Sequence, residues 1–175
     1  MEGLQRSFLL NSRKDLVSKL NFYKNVNMVS TVKYINLSFF ELKNKFLVCL
    51  GLCFLFLICN KKGKFHLKSR FSFSKSFGCN LKLHSEEAFF FLEKFLLLNL
   101  KNILDLEEGF SKTGFSDTGI FSFRIKDIYV FSELGENLFK FRNLKNLNVS
   151  ILFSSLNKVE NIKLLKGLGF IFKEK

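Results

Sequence analysis

Apolar positions change period several times along the chain, and each change marks a predicted element. Leu9, Leu16, Val17, Leu20 and Tyr23 recur at helical spacing and leave Arg13, Lys14 and Lys19 outward, so an amphipathic helix is predicted over Ser7–Lys24. From Val29 to Phe40 the pattern alternates around Val32, Tyr34, Ile35 and Leu37 with β-branched enrichment, which predicts a strand. Glu41–Cys59 follows as the most apolar predicted helix, with Gly51 permitting close packing. Phe71, Phe73 and Phe77 keep a strict period of two that Leu81 and Leu83 repeat after Gly78, so a turn at Ser76–Gly78 is expected to join an antiparallel pair.

Ser85 is the expected N-cap of a helix reaching Leu104, with Glu86 and Glu87 at the positive end of its dipole. Asp105–Gly119 is irregular and glycine-punctuated, a length that in compact domains usually carries function. Alternation resumes over Ile120–Phe131, and its phase flips between Ile125 and Ile128, which predicts a β-bulge. Leu147–Phe153 is a further strand; Asn157 and Glu160 form a capping pair for a helix to Lys166, which Gly167 and Gly169 stop. This order predicts an α+β fold over residues 1–175 as a single domain, an antiparallel or mixed sheet with helices packed on one face and the other face left for a ligand.

Charge changes the picture. Of 28 Lys/Arg and 15 Asp/Glu, residues 1–75 hold 14 and 3, so most of the net +13 lies in the first part of the chain. It is densest over Asn60–His84, where Lys61, Lys62, Lys64, Lys68, Arg70, Lys75 and Lys82 meet no acid until Glu86 and alternate with Phe65, Phe71, Phe73 and Phe77. Cations that neutralise phosphates, interleaved with rings on which bases stack, point to a polyanionic partner. An anionic membrane surface satisfies the same charge, and Phe46–Cys59 is a 14-residue uncharged run between Lys45 and Lys61. That run is shorter than the roughly 20 residues a spanning helix needs and reads as a core helix; a peripheral membrane protein anchored through 46–59 is the alternative.

Catalytic chemistry finds no support. Phosphate-cradling, nucleophile-elbow and His-Glu-x-x-His motifs are missing, and Asp105, Glu107, Glu108 and Asp117 read as solvated loop charges. His84-Ser85-Glu86 is explained by a strand end followed by a cap. Cys49, Cys53, Cys59 and Cys79 form no Cys-x-x-Cys pair and keep no metal-ligand spacing to His66 or His84, so buried reduced thiols are expected, with no cofactor and no metal. The first 20 residues lack the apolar core of a signal peptide. Twenty-five Phe with neither Pro nor Trp, among many Asn, Lys and Leu, fit an A/T-biased gene such as an organelle's.

From Gly78 onward a second kind of evidence begins. Gly78-Cys79-x-Leu81-x-Leu83, an aromatic-rich helix to Leu104, then Phe115-x-x-x-Gly119-x-Phe121-Ser122 and Phe131-x-Glu133 resemble the family of large-subunit ribosomal protein five, bacterial and organellar type. Leu164-Leu165-Lys166-x-Leu168-Gly169-Phe170-x-Phe172 is similar to that family's ending, and Lys33-x-Ile35-Asn36-Leu37 to its first strand. The resemblance implies a structural protein of the central protuberance that binds 5S rRNA and large-subunit rRNA beside neighbouring ribosomal proteins. It also implies a bridge to small-subunit head protein thirteen and a basic loop reaching the peptidyl-site tRNA. Carried over by position, first-strand RNA contacts fall on Asn36, Leu37 and Ser38, the basic loop on Lys61–Lys75, and the bridge on Lys112, Thr113 and Ser116 in the Gly109–Gly119 loop. Where the family has glycines after the first-strand Asn, this chain has Ser38, Phe39 and Phe40. The implied location is the large subunit of a mitochondrial ribosome in the matrix, with plastid and bacterial-type cytoplasm as alternatives, and no membrane insertion.

Overall fold

A computed structural model describes residues 30–42, 44–68, 76–96 and 109–173. The helix predicted over Ser7–Lys24, Phe71 and Phe73, and the segment 97–108 lie outside these residues. Among the described residues five strands form one antiparallel sheet: β1 Val32–Leu42, β2 Lys64–Lys68, β3 Ser76–His84, β4 Ile120–Ile125 and β5 Leu147–Phe153, in the order β2-β3-β1-β5-β4. Period-two alternation sends Ile35, Leu37 and Phe39 of β1, Cys79, Leu81 and Leu83 of β3, and Leu147, Val149 and Ile151 of β5 into one buried cluster. Helices α1 (Lys45–Cys59), α2 (Ser85–Lys94) and α3 (Lys158–Gly167) supply its other half through Val48, Phe54, Leu55, Ala88, Leu92 and Leu165. The α+β architecture with helices on one face matches the sequence pattern.

Several boundaries differ from it. Glu41 and Leu42 finish β1 rather than open the helix, which begins at Lys45. Ser76–Gly78 is not a turn but the start of β3, which pairs antiparallel with β2 on one side and β1 on the other, with His66 opposite Gly78. The glycine serves close approach: a Cβ there would stand 2.9 Å from the Phe39 carbonyl oxygen. Lys64–Lys68, read as part of a basic loop, is therefore an edge strand. The cap before α2 is His84, one residue earlier than expected, and Glu87 reaches back to accept from its backbone N–H at 3.4 Å. The phase flip after Ile125 is not a bulge: β4 ends there, Asp127 accepts from the Tyr129 N–H at 2.9 Å, and a 3₁₀ turn over Ile128–Val130 carries the next apolar residues inward.

At the last helix the prediction and the structure coincide. Asn157 is the N-cap, its Oδ1 accepting from the Val159 N–H at 3.1 Å while its Nδ2 donates to Glu160 at 2.8 Å. Gly167 completes the helix, and Gly169, at φ 104°, turns the chain away. Asn157→Ala removes that cap and is expected to cost about 1 kcal/mol in chemical denaturation.

The thiols depart from expectation. Gly51 lets α1 lie close on β3, where a Cβ would meet the Cys79 sulfur at 2.7 Å, and that contact turns Cys49 and Cys53 to solvent. Only Cys79 is buried, and burial pushes its thiol up to about 11. A thiol reagent at pH 8 is expected to modify Cys49 and Cys53 rapidly in the folded protein and Cys79 only on unfolding; rapid native labelling of Cys79 would contradict this packing.

Candidate nucleic-acid interface

Alternation that buries one half of each strand presents the other half on the opposite face, and the sheet order assembles those halves. Across it run Lys64 and His66 of β2, Asn80 and Lys82 of β3, Tyr34, Asn36 and Phe40 of β1, Asn148 and Ser150 of β5, and Ser122 and Arg124 of β4. None of these outward strand residues is acidic, so the face combines three cations with amide and hydroxyl groups. A shallow depression of about 370 Å³ opens at its centre, lined by Tyr34, Asn36, Asn80, Lys82, Ser122 and Ser150 together with Ile120 and Leu152.

Local contacts hold these side chains in place. Lys82 Nζ sits 3.6 Å from the centroid of the Tyr34 ring, a cation–π contact that fixes the lysine over the depression. Arg124 Nε donates to Asn148 Oδ1 at 3.0 Å, leaving the rest of its guanidinium for an external acceptor. Ser122 donates to Ser150 at 3.2 Å. Asn80 Oδ1 is buried without a hydrogen-bond partner.

The residues singled out by sequence are distributed unevenly. Asn36 and Lys82 lie side by side on this face, paired across β1 and β3. Ser38 shares its direction and is tucked between Asn80 and Asn148, whereas Leu37 turns into the core. Lys62 and Lys64 are exposed. Lys61 is engaged by Glu87, at 2.6 and 2.9 Å to the two carboxylate oxygens, and this contact holds the Glu87 carboxyl below its ordinary range. Such an exposed pair is weak, and what it contributes is present above the ordinary glutamate range and fades as pH falls. Lys68 closes β2; Arg70 and Lys75 lie outside the described residues.

Lys112 and Thr113 sit in a 3₁₀ turn, Lys112–Gly114, and both are exposed, as is Ser116. The turn is pinned rather than loose. Ser111 Oγ accepts from the Thr113 N–H at 3.2 Å and Ser116 Oγ from the Ile120 N–H at 3.3 Å, while Phe110 pairs through its backbone with Ile171 and Lys173 at 2.7 and 3.0 Å. Among the described residues, no group of three His, Cys, Asp or Glu converges as a metal site.

Comparison with known proteins bears on this surface. The family described as the ribosomal L5 C-terminus matches residues 76–172, more than half of the chain. The chain belongs to the ribosomal L5 family. Similar proteins include the large ribosomal subunit protein uL5 of Syntrophotalea carbinolica, 31% identical over 98 residues that cover 56% of this chain and 52% of that protein. The uL5 protein of a Psychrobacter species is 32% identical over 96 residues, 55% of this chain and 52% of its own. The uL5c protein of Euglena gracilis is 33% identical over 97 residues, with the same two shares. The matched part of this chain thus spans about half the length of the curated relatives. It includes β3, β4 and β5, which carry Lys82, Arg124, Asn148 and Ser150 of the polar face.

Sequence reasoning missed Tyr34, Asn80, Ser122, Arg124, Asn148 and Ser150. Their signal was the polar half of each alternating strand, which converges on one place only once β5 is inserted between β1 and β4.

Proposed function

We propose that the protein is a structural constituent of the large ribosomal subunit, not an enzyme, and that it binds rRNA through the polar face of its sheet. The observation that carries this reading is the pair of acid-free outward rows, Lys64–Asn80–Ser38–Asn148–Arg124 and Lys82–Asn36–Ser150–Ser122, which offer cations for phosphates and amides and hydroxyls for sugar and base edges. Family membership supplies the class of partner. On this reading the RNAs are 5S rRNA and large-subunit rRNA in the central protuberance. Lys61–Lys75 extends toward the peptidyl-site tRNA, and the turn holding Lys112, Thr113 and Ser116 meets head protein thirteen of the small subunit. The A/T-biased residue usage supports an organellar ribosome, that of a mitochondrion.

Co-sedimentation tests this reading: the protein should travel with large subunits at physiological salt and leave them only at high salt, and recovery free of ribosomes would overturn it. One observation favours a second reading. The outward face of α1 exposes Phe46, Phe56 and Leu57, a stripe able to meet a membrane surface. Among the described residues no helix is long and apolar enough to cross a membrane. Retention of the protein in the membrane fraction after carbonate extraction, without large-subunit RNA, would favour that reading over the ribosomal one.

A further inference from the structure

The outward row of β1 ends on Phe40, which is 52% exposed on a face otherwise built largely from amides, hydroxyls and cations. Its neighbour Phe39 fills the core, so this end of the strand presents one ring inward and one ring outward. Ser38 stands opposite Asn80 and Phe39 opposite Cys79; the register then shifts before Leu42, which stands opposite Phe77, and in this irregular step Phe40 lies beside Gly78, itself opposite His66. A Cβ at Gly78 would lie 3.7 Å from Phe40 Cδ1, so the phenyl ring leans over the glycine. The row His66–Gly78–Phe40 therefore crosses three strands with an exposed ring at each end and no side chain between. With strands about 4.8 Å apart, the two ring-bearing backbones stand about 10 Å from each other. Lys64 lies one step along the same face of β2.

A paired base is already stacked within its helix and gains nothing from a phenyl face, whereas an unpaired base gains a stacking partner. We propose that Phe40, its ring leaning over Gly78, is a stacking platform for an unpaired RNA base, with Lys64 meeting the adjoining phosphate. This rests on the reading of the face as an RNA surface and narrows it to RNA with a looped-out or single-stranded nucleotide. Duplex backbone alone does not fill this site.

The chain contains no Trp, so Phe40→Trp installs a single fluorescent reporter at the platform. The full-length variant is titrated with a 12-nucleotide oligoadenylate and with a 12-base-pair RNA duplex, binding being followed independently by the anisotropy of a dye on the RNA. The expected result is quenching of the introduced indole by the single strand and little by the duplex. Phe40→Ala should bind the single strand about tenfold more weakly, and Phe40→Tyr should restore binding. Unquenched indole together with unchanged affinity of Phe40→Ala overturns the platform and leaves the basic face standing. Failure of the unsubstituted chain to bind either RNA overturns the RNA-face reading, and the platform with it.

Discussion

Replacing Phe54 with alanine is expected to destabilise the fold more than any other single truncation on α1. The ring has no solvent exposure and meets Phe39, Phe131 and Phe141 edge-on, each with centroids 5.5 Å apart. It therefore joins α1, β1 and the 3₁₀ segment Ser132–Phe141, three elements far apart in sequence. Removing a buried Phe forfeits its transfer free energy and leaves a cavity that such a close-packed aromatic group cannot fill, a loss of about 3–5 kcal/mol. A domain of this size holds about 5–15 kcal/mol in total, so the melting temperature should fall by roughly 6–20 °C. Phe46→Ala, at a ring 68% exposed on the same helix, should change stability by no more than about 0.5 kcal/mol. Equal effects at the two positions would mean that the buried and outward faces of α1 are wrongly assigned.

The second large effect concerns binding. Lys64, Lys82 and Arg124 come from three different strands and face the same way. If each neutralises one phosphate, the triple alanine variant should bind rRNA about 100-fold more weakly at 0.1 M salt, and its plot of log affinity against log salt should be shallower by about 2. Lys163→Ala with Lys166→Ala, on α3 and exposed, removes two positive charges from the helical layer and should leave the slope nearly unchanged. A drop common to both variants would indicate diffuse attraction by the net charge of +13 instead of a defined face.

Much of this architecture was legible in the chain. β5 was read over its full length because Leu147, Val149, Ile151 and Phe153 alternate without interruption, and α3 because its cap residues sit at the spacing their hydrogen bonds require. Misreadings arose where one local signal serves two physical purposes. Gly78 looked like a turn, yet glycine also permits close approach of backbones, and only the neighbouring Phe39 carbonyl decides between them. The flip between Ile125 and Ile128 looked like a bulge because a 3₁₀ turn capped by Asp127 and a bulge both return apolar residues to the core after an irregular step. Cys49 and Cys53 looked buried because α1 is apolar on both faces, which blurs its inward side.

The binding face was only partly legible. Asn36 came from the family resemblance, and the density of lysines drew attention to β2 and to Lys82. Tyr34 and Arg124 did not emerge, because their relation to Lys82 and Asn148 is made by long-range pairing. Lys61, in the same charge run, is paired with Glu87, a contact that only the folded chain brings together.

The central claim is that the polar face of the sheet meets RNA, and its most direct test is a protein–RNA cross-linking map of intact large subunits containing this protein. Cross-linked peptides are predicted to fall on 34–40, 64–66, 80–84, 122–124 and 148–150, at residues of the outward rows. Cross-links confined to the outer surfaces of α1 and α3, with none on those rows, would contradict it.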